Sequence, residues 1–278
     1  MMEEGARCWV ILAVYIISFL VGLPANVLAI HAFSVKIHSK SSPTCILLLN
    51  LSLSDLLLLI VLPFKMHEAV SGMVWNLPIF LCSITSFTFF FSIYTSSLLL
   101  MAVSVVRFIG VAFPITYHRM KKSVYATVAS VVIWLVSAAH CSIVIIVQET
   151  HELSNTNSTV CYDNFTEKQL SVLLPVRLEI SVVLCFIPLL VCVFCYLGCI
   201  WILYNRPNIS RMQKKKAIGM ALGTLAVFLV CVVPYNLSHL LGYLNNISPN
   251  WRLYTLLFSA LNTCLDPIIF YFSSYISA

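Results

Sequence analysis

The sequence predicts an all-α membrane protein: one domain, residues 1–278, built as a seven-transmembrane helix bundle. Three observations predict it. Hydrophobic residues make up 60% of the chain and charged residues 9%, whereas a soluble domain carries about 25% charged residues. Seven apolar stretches each reach the roughly 20 residues needed to cross hydrocarbon. The turns on one side are all basic, and the acidic residues gather in one long loop on the other.

The first stretch, Trp9–Val35, is longer than a signal-peptide core and no small-residue cleavage site follows it. It therefore reads as a retained helix. A turn with Lys36 and Lys40 leads to the second, Cys45–Glu68, and the third is Pro78–Ala112. Arg119, Lys121 and Lys122 precede the fourth, Val124–Val147. A long loop with Glu149, Glu152, Asp163 and Glu167 leads to the fifth, Leu170–Leu203. Arg206, Arg211 and Lys214 to Lys216 come before the sixth, Lys215–Tyr243, and Trp251–Ser274 is the seventh. Basic turns stay in the cytosol, so the N-terminus is placed outside a plasma membrane. The net charge of +6 then reflects topology and contact with membrane lipid, and no nucleic-acid partner is expected. The chain stops at Ala278, so a cytoplasmic tail is expected to be absent or cut short.

Most of the 11 cysteines fall inside the stretches and read as small buried hydrophobes. Cys82 opens the third stretch at the outer face and Cys161 lies in the long outward loop. That side is oxidising, so these two are expected to form a disulfide. Asn157 and Asn164 head glycosylation sequons in the same loop. Pro63, Pro188, Pro234 and Pro267 interrupt helices and supply pivots within the bundle.

Asp55 lies midway along the second stretch, where an ionisable group is costly and functional by default. Asn26, Ser96, Asn262 and Asp266 stand at similar depth on other helices. Two readings stay open. The cluster is interhelical hydrogen-bond glue, or it holds a cation, with an allosteric sodium ion as the candidate. No other cofactor and no catalytic nucleophile–base spacing stands out, so an enzyme is not expected.

The motifs Gly22-Leu23-Pro24-Ala25-Asn26, Leu51-Ser52-Leu53-Ser54-Asp55, Trp134, Arg107, Pro188, Pro234 and Asp266-Pro267 occur in order along the chain. They resemble the markers of rhodopsin-type (class A) G-protein-coupled receptors, and Cys82–Cys161 matches that class's usual bridge. Pro175-Val176-Arg177-Leu178-Glu179, Pro234 to Leu240, Gly110 to Pro114, Asp266 to Phe272 and His140 to Gln148 narrow the match. They resemble the free fatty acid receptor family, best its short-chain branch. The resemblance implies ligands such as acetate, propionate and butyrate, and coupling to heterotrimeric G proteins of the inhibitory or Gq type. It assigns carboxylate anchoring to Arg177, Arg252 and His239, with Tyr94, His140 and Tyr235 in support.

The residues themselves leave two readings of the arginines. Each guanidinium near a helix end can snorkel to the interface, and Trp251 beside Arg252 fits an interfacial belt. Two guanidiniums converging in one hollow instead repel each other unless an anion sits between them. A carboxylate suits that place because it accepts paired N–H bonds in a planar fork. Glu179, two residues from Arg177, does not face it on a helix, and Asp163 is a candidate latch for the ligand-free state. At the inner end Val106-Arg107-Phe108 departs from the class's usual acid beside Arg, leaving Arg107 to reach Tyr196. Cys231, Asp266 and Phe270 are further departures from class pattern. A monocarboxylate transporter or channel would use the same arginines, but the internal repeat common in transporters is not evident. A receptor for another anion or a longer fatty acid is the nearer alternative.

Overall fold

The computed structural model describes residues 2–39, 42–119, 123–154, 161–162, 165–206 and 210–275. The described residues are almost wholly helical and form seven long helices, called spans below, of which the first six are long and apolar enough among the described residues to cross a membrane. The first is Met2–Ser39, the second Pro43–Val70 and the third Ile79–Ala112. A short helix, Pro114–Arg119, links the third to the fourth. The fourth span is Ser123–Cys141 continued by Ile143–Ser154, the fifth Glu167–Ser181 continued through Ile187–Asn205, and the sixth Arg211–Val227 continued by Val233–Asn245. The seventh is Arg252–Tyr275. Every sequence-predicted stretch lies on its helix, displaced by a few residues at the ends, where polar residues extend helices beyond the hydrocarbon.

Local chemistry sets several boundaries. The Ser42 hydroxyl accepts from the backbone N–H of Cys45, and Pro43 opens the second span; both are favoured at a helix start. Thr166 and Gln169 form a reciprocal capping box that starts the fifth span. The sixth span ends at Asn246, left-handed at φ 54, where the N–H of Ile247 bonds back to Gly242. The fourth span is interrupted at Ser142, whose hydroxyl donates to the carbonyl of Ala139. Such back-bonding competes with the helical ladder.

Two of the four expected proline breaks become π-helical turns. Val182–Phe186 precedes Pro188 and Phe228–Val232 precedes Pro234. Proline lacks an N–H and crowds the carbonyl four residues back, so the ladder relaxes to a wider turn there.

The first span packs on the second and seventh, the third on the second, fourth and fifth, the fifth on the sixth, and the sixth on the seventh. The ring closes with the third span as its most enclosed member. Leu190, Phe194, Trp201 and Tyr204 on the fifth span are exposed. Surrounded by lipid, such a helix satisfies its own backbone and has no reason to hide its apolar side chains. Cys82 and Cys161 form a disulfide across 79 residues of chain, tying the loop before the fifth span to the top of the third.

Candidate functional site

The fifth, sixth and seventh spans each bring a basic side chain to the disulfide end of the bundle. Arg177 is 5% exposed, His239 4% and Arg252 8%. Burial at this level argues against snorkelling for all three. His239 lies within Coulombic reach of both guanidiniums, and so does the Tyr235 hydroxyl. The tight turn at Asn246 carries the chain from the sixth span to the seventh, where the N–H of Arg252 bonds to the carbonyl of Pro249. That short connection brings His239 and Arg252 to the same end of the bundle.

Aromatic rings stand against Arg177 and His239. The Arg177 guanidinium stands 5.5 Å from the ring centre of Tyr162 and 5.0 Å from that of Phe165. Both contacts fall within the range of cation–π attraction. Phe90 lies 5.4 Å from Tyr162 and stacks on Tyr235 at 5.8 Å; Tyr235 meets the His239 ring edge-on at 4.4 Å. The Nη2 of Arg177 is buried and meets no hydrogen-bond acceptor. Rings soften the charge without giving Nη2 a partner, so the arrangement favours a small acceptor.

The supporting residues divide. Tyr235 joins the cluster. The Tyr94 hydroxyl donates to Asn236 Oδ1 at 3.2 Å, and Asn236 donates in turn to the carbonyl of Val232 in the π turn. Tyr94 thus ties the third span to the sixth. His140 turns to the fifth span: its Nε2 meets Glu179 Oε1 at 3.1 Å and its Nδ1 faces the carbonyl of Val136. Glu179, 50% exposed along its side chain, pairs with His140 rather than with Arg177. Asp163, Asn157 and Asn164 lie outside the described residues.

The polar cluster is assembled at mid-depth. Ser96 donates to Asp55 Oδ1 at 3.1 Å and Asn262 to Asp266 Oδ2 at 2.9 Å. The two carboxyl groups are within Coulombic reach of each other. Asp55 Oδ2 and Asn262 Oδ1 are buried without partners. A cavity of about 10 Å³ is lined by Asp55, Ser92, Ser96, Ser259 and Asn262. Asn26 instead bridges the first and seventh spans, donating to the carbonyls of Gly22 and Thr263.

At the opposite end Arg107 and Tyr196 are electrostatic neighbours between the third and fifth spans. Phe108 fills the notch left by Gly198, where a Cβ would come within 2.6 Å of its ring. Sequence reasoning missed the ring contacts of Tyr162, Phe165 and Phe90. No spacing signals them, because each partner sits on a different span.

Residues 25–270 match the family described as 7 transmembrane receptor (rhodopsin family). Free fatty acid receptor 2 of Homo sapiens is 49% identical over 268 residues, covering 95% of this chain and 81% of that protein. Free fatty acid receptor 3 of Mus musculus is 46% identical, over 96% of this chain and 83% of its own. Free fatty acid receptor 1 of Macaca fascicularis is 32% identical, over 92% and 89%.

Proposed function

Since the chain belongs to the rhodopsin family of seven-transmembrane receptors and, within it, to the free fatty acid receptors, we propose that it is a plasma-membrane receptor for short-chain carboxylates. Acetate, propionate and butyrate are the ligands. The N-terminus and the disulfide end face outward, and the basic turns meet a heterotrimeric G protein of the inhibitory or Gq type. Arg177 and Arg252 hold the carboxylate between their guanidiniums, with a donor from His239 and the Tyr235 hydroxyl nearby.

One observation carries this reading: two buried guanidiniums and an imidazole from three spans converge, and Arg177 keeps a buried N–H group unsatisfied. A carboxylate about 4 Å from one such charge gains about 4 kcal/mol at an effective dielectric of about 20. The ligand is small, which limits affinity. At about −1.5 kcal/mol per heavy atom, propionate with its roughly five heavy atoms has a ceiling near −7.5 kcal/mol. Micromolar binding is the limit and about millimolar the working range.

The route inward follows the sixth span. A carboxylate drawing on His239 and Tyr235 pulls the helix above Pro234 and its π turn. The Tyr94–Asn236 bond registers that pull on the third span, whose inner end carries Arg107 beside Tyr196. The polar cluster suits a sodium ion: its donors are all oxygen, as a hard cation prefers, and about 10 Å³ accommodates one water-sized body. Bound sodium would balance the Asp55–Asp266 charge and hold the second, third and seventh spans together.

The test is G-protein nucleotide exchange in membranes bearing the chain, across straight carboxylates from acetate to octanoate and their amides. Acids are expected to activate and amides to fail, and Arg252→Ala is expected to weaken the acids by about a hundredfold or more, matching a lost charge-assisted contact of about 3 kcal/mol. Amides as potent as the acids would sink the charge argument.

A further inference from the structure

The disulfide end also holds a cavity of about 780 Å³, lined by Arg7 of the first span, Lys65 and Glu68 of the second, Ser86 of the third and Leu253 of the seventh. The exposed residues Gly72 and Asn250 line it too, so it reaches solvent at its outer end. Its volume falls in the roughly 300–1,000 Å³ range of sites for metabolite-sized molecules. Cys161 lines this cavity and Cys82 does not. The bridge between the two therefore presents its Cys161 end to whatever enters.

The Cys161 sulfur has polar company on that side. Ser86 Oγ stands 3.4 Å from it and Lys65 Nζ 3.9 Å. A bridged sulfur carries no proton, so both groups donate toward it. Glu68 holds the Lys65 ammonium at 3.0 Å and fixes it where it faces the sulfur. A bridge that only ties a loop needs neither contact. A thiolate approaching the sulfur gains from both, because a nearby cation favours the charged form of a thiol.

We propose that Cys161 is a thiol-exchange site, taking a metabolite-sized aliphatic thiol that enters the cavity and becomes bonded to it. The entering thiolate attacks Cys161 Sγ and forms a new S–S bond. The Cys82–Cys161 bond breaks, and its electron pair leaves on Cys82 Sγ. Cys82 takes up one proton, which balances the one the entering thiol gave to solvent. The reverse step, Cys82 attacking the mixed disulfide, restores the bridge. Access decides which sulfur is attacked, and Cys82 is 0% exposed. Tyr162, next in the chain, lies against Phe90 and over the Arg177 guanidinium. Opening the bridge releases that segment from the third span, so exchange loosens the ring contact on Arg177. An effect on carboxylate signalling rests on the receptor reading above; the exchange itself does not.

The full chain carrying Cys8→Ser, which removes a free thiol from the cavity wall, is held in nanodiscs with glutathione at fixed pH. Iodoacetamide quenches the reaction, and peptide mass spectrometry locates the adducts. Glutathione is expected on Cys161 and the alkyl group on Cys82. An ammonium that lowers the entering thiol by about one pKa unit raises its thiolate fraction about tenfold, and the lower nucleophilicity takes back about threefold. Lys65→Met is therefore expected to slow exchange about threefold, and Glu68→Gln, which leaves the ammonium unopposed, to speed it by about the same factor. Loosened packing exposes the bridge and speeds exchange, so a slower Lys65→Met protein is not a misfolded one. Glutathione on Cys82 in place of Cys161, a bridge that yields no adduct, or a Lys65→Met rate equal to or above the parent's would each overturn the proposal. No propionate and no G protein enter this assay, so it and the amide comparison fail separately.

Discussion

Replacing Arg177 by Met separates a ligand-binding cation from a structural one, because the two roles predict opposite signs. The side chain is 5% exposed, one of its N–H groups has no acceptor, and Arg252 adds positive potential nearby. Without ligand this is an uncompensated burial of charge. Exchanging buried ionic groups for apolar ones of similar size often stabilises by about 1–4 kcal/mol. The ring contacts with Tyr162 and Phe165 return about 0.5–2 kcal/mol to the arginine. The ligand-free Arg177→Met protein should therefore be more stable by about 1–2 kcal/mol, a rise of a few degrees in melting temperature. Binding goes the other way. Hydrogen bonds to a charged group contribute about 1.5–3 kcal/mol, and about millimolar binding amounts to only about 4 kcal/mol in total. Little affinity survives. The assay is a thermal melt in nanodiscs with and without propionate. The parent protein should gain about 2.7 kcal/mol at a ligand concentration of about 100 Kd, and the variant should gain nothing while melting higher. A variant that melts lower than the parent and still shifts with propionate would refute the reasoning.

Two further outcomes are expected. Gly242→Ala puts a Cβ within 2.8 Å of the Ile247 carbonyl oxygen, which is backbone and cannot swing away; a loss of about 1–3 kcal/mol and a weaker propionate response should follow, read from the melting temperature and nucleotide exchange, since the turn also positions Arg252. Asp55→Asn removes one of two facing carboxyl groups, so a gain in melting temperature on replacing choline with sodium should appear in the parent and vanish in the variant; a sodium effect of equal size in both would dismiss the ion.

The fold was open to view in the chain because its two governing forces act locally. A run such as Cys45–Glu68 is apolar regardless of its neighbours, and a basic turn such as Arg119–Lys122 is basic before anything folds. The disulfide was readable for a similar reason: the charge pattern sets both cysteines on one side of the membrane, and the structure joins them. The short helix at Pro114–Arg119 and the interruption at Ser142 were not readable, because each depends on a few backbone bonds that hydropathy does not register.

Arg177, Arg252 and His239 were nameable from motif and depth, yet neither motif nor depth states which way a side chain turns. His140 shows the limit: its depth matches that of Tyr235, and only the fold shows its contact with Glu179. Arg7, Lys65 and Glu68 belong to no motif in the sequence, and only packing of the first span against the second and seventh encloses them around one cavity. The sequence by itself determined how many helices cross the bilayer and which residues resist burial there, since transfer from water to hydrocarbon is a property of each segment. The tertiary structure alone decided which of those residues face one another, since that depends on the rotation and proline-bent path of separate helices, and no local pattern encodes the angle between them.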